Sequence, residues 1–215
     1  NTLKLKQYDI NQLLMSLVAQ KGSINIKPLS MNMLEGQLSS AINMNVQSAK
    51  PAYAIDMDVK QVQAGPVVNP FLGGIMGEKP VQMQGAVNMT MAVKTAGSSI
   101  RQLKKASTGK IVLDMKETRV DGFDPEYYMR SAIAEEISGK DSGLSSTITG
   151  GYDPREVTVF DKIYSTVNLA NGRASTSDFI MDSKRVQVGA KGYADIIDNA
   201  LDVTSSIKLP RGKTV

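Results

Sequence analysis

Residues 81–94 read VQMQGAVNMTMAVK, an almost unbroken alternation of apolar and polar side chains. A period of two puts every second side chain on one face, the signature of a half-buried β-strand and not of a helix. The pattern recurs over 52–63, where Tyr53, Ile55, Met57 and Val59 share one side and Asp56, Asp58 and Lys60 the other. It recurs again over 108–119, with Ile111, Leu113 and Met115 on one face. At about 3.3 Å per residue, 81–94 alone would reach roughly 45 Å. A chain carrying several such segments is committed to a large sheet.

The rest of the chain is read from its punctuation. Asp9 is placed to cap a helix over INQLLMSLVAQK that ends at Gly22. Strands follow at 23–34 and 37–48, joined by a turn at Glu35-Gly36, with Pro28 marking a bulge or an edge position. The glycine-rich GPVVNPFLGGIMG (65–77) is expected to form a short helix or apolar turn, and SSIRQLKKAS a second short helix. Asp124-Pro125 opens a helix to about residue 138, followed by a Gly/Ser-rich mobile loop over 138–154. Strands resume at 162–170, 173–182, 184–194 and 200–209, with Asn171-Gly172 as a hairpin turn. A helix, a break and a long strand are expected to form a unit used around 9–34, 66–94 and 98–119. The expected fold class is α+β: one domain over 1–215, with a large, elongated, mostly antiparallel, curved β-sheet and short amphipathic helices on one face or at its ends.

Composition closes off much chemistry. The chain has no cysteine and no histidine, which removes disulfides, thiolate and imidazole metal sites, and His-based nucleophile systems. The net charge of +4 is dispersed and aromatics are 5% without tryptophan, a poor match to the basic stripes and stacking platforms of nucleic-acid readers. Two S-x-x-K matches occur, Ser107/Lys110 and Ser205/Lys208, but in a strand such positions face opposite ways. The Gly-Lys pairs at 109–110, 139–140 and 212–213 lack the earlier glycine of a phosphate loop, and DGFD (121–124) lacks the calcium-loop pattern. Adjacent Glu135 and Glu136 diverge on a helix. A non-enzymatic protein without metal or cofactor is expected.

Methionine carries the remaining information. Met31, Met33, Met44, Met57, Met83, Met89, Met91, Met115 and Met181 all fall in expected strands, nearly all in the apolar phase. Taken singly, each is best read as core filler. Taken as a row, they line more apolar sheet than a few short helices can cover, and uncovered apolar area calls for a partner or ligand. Polarizable, rotamer-rich methionine suits a fluid partner such as an acyl chain. The lipid-contacting candidates are Met83, Val87, Met89, Met91 and Val93, with Ile55, Met57 and Val59.

The C-terminal third, TVFDKIYSTVNLANGRASTSDFIMDSKRVQVGAKGYADIIDNALDVTSSIKL, resembles the C-terminal region of the AsmA-like family of Gram-negative envelope proteins. The family's pattern falls on Thr158 and Phe160, Asn171-Gly172, Asp182-Ser183, Gly189 and Gly192 before Asp195-Ile196, and Leu201-Asp202. INQLLMSLVAQKG and IRQLKKASTGKIVLDMKETRVDGFD are similar to its helix–Gly–strand units, with Gly109 and Gly122 at expected places. The resemblance implies a periplasmic body, an inner-membrane anchor outside this segment of a longer protein, and a role in outer-membrane biogenesis. It also implies phospholipid or another lipid as partner, held in a curved β-groove, and no catalytic residues. The competing expectation is a structural or interaction module that positions envelope assembly proteins without lipid cargo. An enzyme working with carboxylates alone is a third and less favoured reading.

Overall fold

The computed structural model describes residues 2–5, 8–76, 81–122, 124 and 156–208. These residues build one open, curved antiparallel sheet of twelve strands. In chain order they are β1 (Thr2–Leu5), β2 (Tyr8–Gln20), β3 (Ser23–Met33), β4 (Gly36–Asn45) and β5 (Ala52–Gln63), then helix α1 (Gly65–Met76). There follow β6 (Gln82–Gln84), β7 (Ala86–Ala96), helix α2 (Ile100–Ala106) and β8 (Thr108–Asp121). The sheet is completed by β9 (Val157–Ala170), β10 (Arg173–Asp182), β11 (Gln187–Asp195) and β12 (Ala200–Lys208). Strands neighbour one another in sequence order, except that β6 and β7 both pair with β8. The architecture is therefore mostly β, with two short helices among the described residues, rather than an even α+β mixture. The expected helix at 125–138 and loop at 138–154 lie outside the described residues.

Three hairpins close through two-residue turns whose residues have positive φ: Lys21-Gly22, Leu34-Glu35 and Asn171-Gly172. That geometry matches the right-handed twist of the flanking strands. The second turn sits one residue earlier than expected. Gly36 already belongs to β4, and it is needed for another reason: a Cβ there would strike the backbone of Lys60, Gln61 and Val62 on β5. Pro28 lies in a register shift between Ile26 and Leu29, as expected of a bulge.

Two larger expectations are corrected. The segment expected to be a helix over 9–22 forms strand β2 (Tyr8–Gln20) and the Lys21-Gly22 turn. Leu14 and Val18 share one face while Met15 and Leu17 share the other, so the apolar spacing imitates a helical period although the backbone is extended and paired to β3. The β3 ladder satisfies backbone groups along β2, and tertiary context overrides local preference. The helix–break–strand unit at 9–34 disappears with it. The expected continuous strand 81–94 is likewise interrupted at Gly85, which separates β6 from β7.

The packed core lies at one end of the sheet. Ala64, Val81, Met115, Val120, Phe160, Ile163 and Val186 form a single buried cluster, with Val68 of α1 packed against it. Asn69 of α1 accepts a hydrogen bond from the Met83 N–H at 2.8 Å, fixing the helix over β6. Elsewhere, strands pack chiefly on their ladder neighbours, and α2 rests on β7.

Candidate lipid-contacting surface

Each candidate side chain is positioned by strand register. Ile55, Met57 and Val59 of β5 stand opposite Val93, Met91 and Met89 of β7, and Val62 stands opposite Val87 after a bulge at Lys60-Gln61. Directly opposed residues in an antiparallel pair point to the same face. The two predicted runs are thus one surface. Met83 lies beyond the Gly85 interruption, opposite Val120 of β8.

The surface continues sideways. Met57 and Met91 are flanked by Ser40 on β4 and Ile111 on β8, and Val59 and Met89 by Leu38 and Leu113. Another row passes from Leu17 through Ile26, Ile42, Ile55 and Val93 to Gly109. From Gly109 it crosses Leu169, Ala174 and Ala194 and reaches Leu201 on the far edge strand. These lateral partners were visible in the sequence as separate alternations, but only the register joins them into a stripe across the sheet.

The stripe has two regimes. Met83, Val87, Leu113, Met181, Val188 and Ile207 pack against the buried cluster, as does Val68 of α1. Ile55, Met57, Met89, Met91 and Val93 stand outside that cluster and are half-buried, while Val59 is buried at 6% exposure. Toward β2 the cover thins further, with Met15 and Leu17 both more than half exposed. A shallow hollow of about 360 Å³ opens beside Met57–Met91, and one of about 350 Å³ lies on the other face, lined by Asp58, Thr90 and Val112. Both fall within the usual size of ligand pockets.

Gly109 thins the stripe at one point. Its φ of +151° and its approach to Val93 leave no room for a side chain, because a Cβ would be driven into the Ala92 carbonyl. Across β5, β7 and β8 the sheet's opposite face is largely polar. Asp56, Lys60, Thr90, Lys94 and Lys110 are exposed there, and Lys60 pairs with Asp58 at 3.3 Å.

No catalytic arrangement emerges among the described residues. Ser107 caps α2, donating its hydroxyl to the Leu103 carbonyl at 2.7 Å, and Ser205 and Lys208 sit three apart in β12. Asp121 is engaged by Arg119 at 2.6 Å. A cleft of about 770 Å³ lies at the end of β2–β5 between Tyr8, Asn32, Glu35 and Lys60. No group of three acidic, histidine or cysteine side chains among the described residues is placed to hold a metal ion. No helix among them is long and apolar enough to cross a membrane.

Two carboxylates stabilise local backbone. Burial alone would raise the Asp178 carboxyl, but hydrogen bonds from the Thr166 N–H at 2.7 Å and from the hydroxyls of Thr166 and Thr176 hold it below its ordinary value. Asp195 is also lowered, first by the N–H of Asp198 and of Ile197, then by Arg173 and Arg101.

The model of the AsmA family matches residues 1–179. The match includes Thr158, Phe160 and Asn171-Gly172 but stops short of Asp182-Ser183 and the later positions. No curated protein and no solved structure matches the chain.

Proposed function

This chain belongs to the AsmA family, and from that premise we propose that its apolar stripe holds lipid. Family membership associates the chain with biogenesis of the bacterial envelope. The finer reading is a non-enzymatic periplasmic segment of an inner-membrane-anchored protein that contacts or carries phospholipid on the open part of the sheet. One observation carries it: Met57, Met89 and Met91 form a contiguous, partly exposed patch in register, outside the cluster that closes the other end. Covering such a half-exposed side chain with an acyl chain would contribute on the order of 1 kcal/mol. Methionine tolerates the varied positions a mobile chain adopts.

Native mass spectrometry of protein purified from bacteria tests this reading. Phospholipid adducts are expected, and delipidated protein should regain them from liposomes. Met57→Asp and Met91→Asp should abolish the adducts without unfolding the protein. Lipid-free protein that stays lipid-free beside liposomes would sink the proposal. A structural module without cargo is the second reading, and the exposed apolar residues on both faces of β2 favour it, since a protein partner could cover them.

A further inference from the structure

The two ends of the sheet differ in charge. At one end lie the Lys21-Gly22 turn, the 46–51 connection, α2, the Asn171-Gly172 turn and the 196–199 turn. They form a continuous rim: Val46 N–H bonds the Gly22 carbonyl, Gly97 N–H bonds the Pro51 carbonyl, and Gly172 lies against Lys105 and Ile197. This rim presents Lys21, Lys50, Arg101, Lys104, Lys105 and Arg173. Arg101 and Arg173 approach Asp198 at 3.8 Å and Asp195 at 3.9 Å, in loose exposed pairs. The ammonium groups of Lys21, Lys50, Lys104 and Lys105 make no ion pair among the described residues. At the opposite end, Asp121, Asp124 and Glu156 occupy Arg119 and Arg185.

The basic rim also carries bare apolar side chains. Ile100 at the start of α2 is 75% exposed, Leu201 beside the 196–199 turn is 74% exposed, and Val46 is 45% exposed. Ile100 is not loosely hung. The helix bearing it is capped by Ser99, whose side chain accepts from the Gln102 N–H, and is tied to β7 by the Thr95 hydroxyl on the Leu103 carbonyl at 2.6 Å. A rigidly held isoleucine among unpaired lysines has the chemistry of an interfacial membrane contact. The lysines meet anionic headgroups, and the isoleucine enters the acyl boundary.

We propose that the α2 end of the sheet docks on an anionic lipid surface. The proposal builds on the lipid-holding stripe, because a row of that stripe runs out to Leu201 at this rim, so docking would set the open apolar face at the bilayer. It fixes which end of the molecule meets the membrane. It is measured independently of lipid held on the sheet.

The probe is co-sedimentation with vesicles of phosphatidylcholine, alone or with about one-third phosphatidylglycerol. The intact protein should pellet with the anionic vesicles only, and binding should weaken as salt is raised. The combined Lys50→Glu, Lys104→Glu and Lys105→Glu variant should lose at least tenfold in affinity, since each lysine near such a surface is worth about fivefold. Ile100→Ser should lose binding with its thermal unfolding unchanged, whereas Lys184→Glu at the opposite end should bind normally. Equal binding to neutral vesicles, or an undiminished triple variant, would overturn the proposal. So would binding of polyglutamate in place of vesicles, which would mark the rim as a site for acidic protein. Met91→Asp separates the two readings. If it loses lipid adducts but still pellets, both hold; if wild-type protein pellets but never carries lipid, only the rim survives.

Discussion

Met57 of β5 and Met91 of β7 stand directly opposite each other, half-buried, on the stretch of apolar sheet that neither helix closes. Met115 on β8, opposite Val87, is only 3% exposed. The same residue type on the same sheet therefore occupies two environments. Met91→Asp should leave the denaturant midpoint nearly unchanged, because the carboxylate reaches water. Met115→Asp should cost several kcal/mol or prevent folding, and Met115→Ala about 2–5 kcal/mol. Equal losses at Met91 and Met115 in urea melts would show that the open region is sealed.

Thr118 is fully buried, and its hydroxyl has no hydrogen-bond partner among the described residues. It lies under the Gly85 interruption, where a threonine methyl packs but the oxygen is stranded. Thr118→Val keeps the shape and removes the unmet polar group, so it should stabilise the protein by about 1 kcal/mol. Chemical denaturation of the two proteins measures the difference.

Gly109→Ala should destabilise by about 1–3 kcal/mol, through a positive φ unsuited to alanine and a collision with β7. Gly192, with the same φ and a like approach to the Asp202 carbonyl, should respond similarly. A substitution tolerated at both sites in thermal melts would contradict the close strand approach.

Acid should loosen the β11–β12 turn. Asp195 is held below its ordinary value of 3.8 by the N–H groups it accepts from, so its contribution is fully present above that value. It is lost as pH falls through the lower folded value. Amide exchange at Ile197 and Asp198 should therefore quicken, after correction for intrinsic rates, only below about pH 4. Asp195→Asn should flatten that dependence.

Much of the sheet was legible because its signals are local. Asn171-Gly172 names its own turn, and the alternation through 52–63 and 108–119 declares which residues share a face. β2 was not legible, since its apolar residues occupy both faces and mimic a helix. Gly36 was misread because glycine serves turns and close packing alike, and the need here came from β5, distant in sequence. The candidate residues fell on one surface through pairings the alternation implies. That Met83 and Val87 pack against the buried cluster was invisible, because its members, Val81 and Val186 among them, are brought together by tertiary packing. The basic rim was also missed: its lysines are scattered along the chain and meet only where strand ends converge.

Among the described residues, β1 accompanies β2 from Tyr8 to Asn11. Beyond that, the margin through Gln20 carries no charged side chain and bares Leu14, Met15, Leu17 and Val18. Sheets ordinarily guard such borders with lysine or proline. Among the described residues that border leaves its ladder open to a further strand, and Ser16→Lys would set a charge in the path of any such addition.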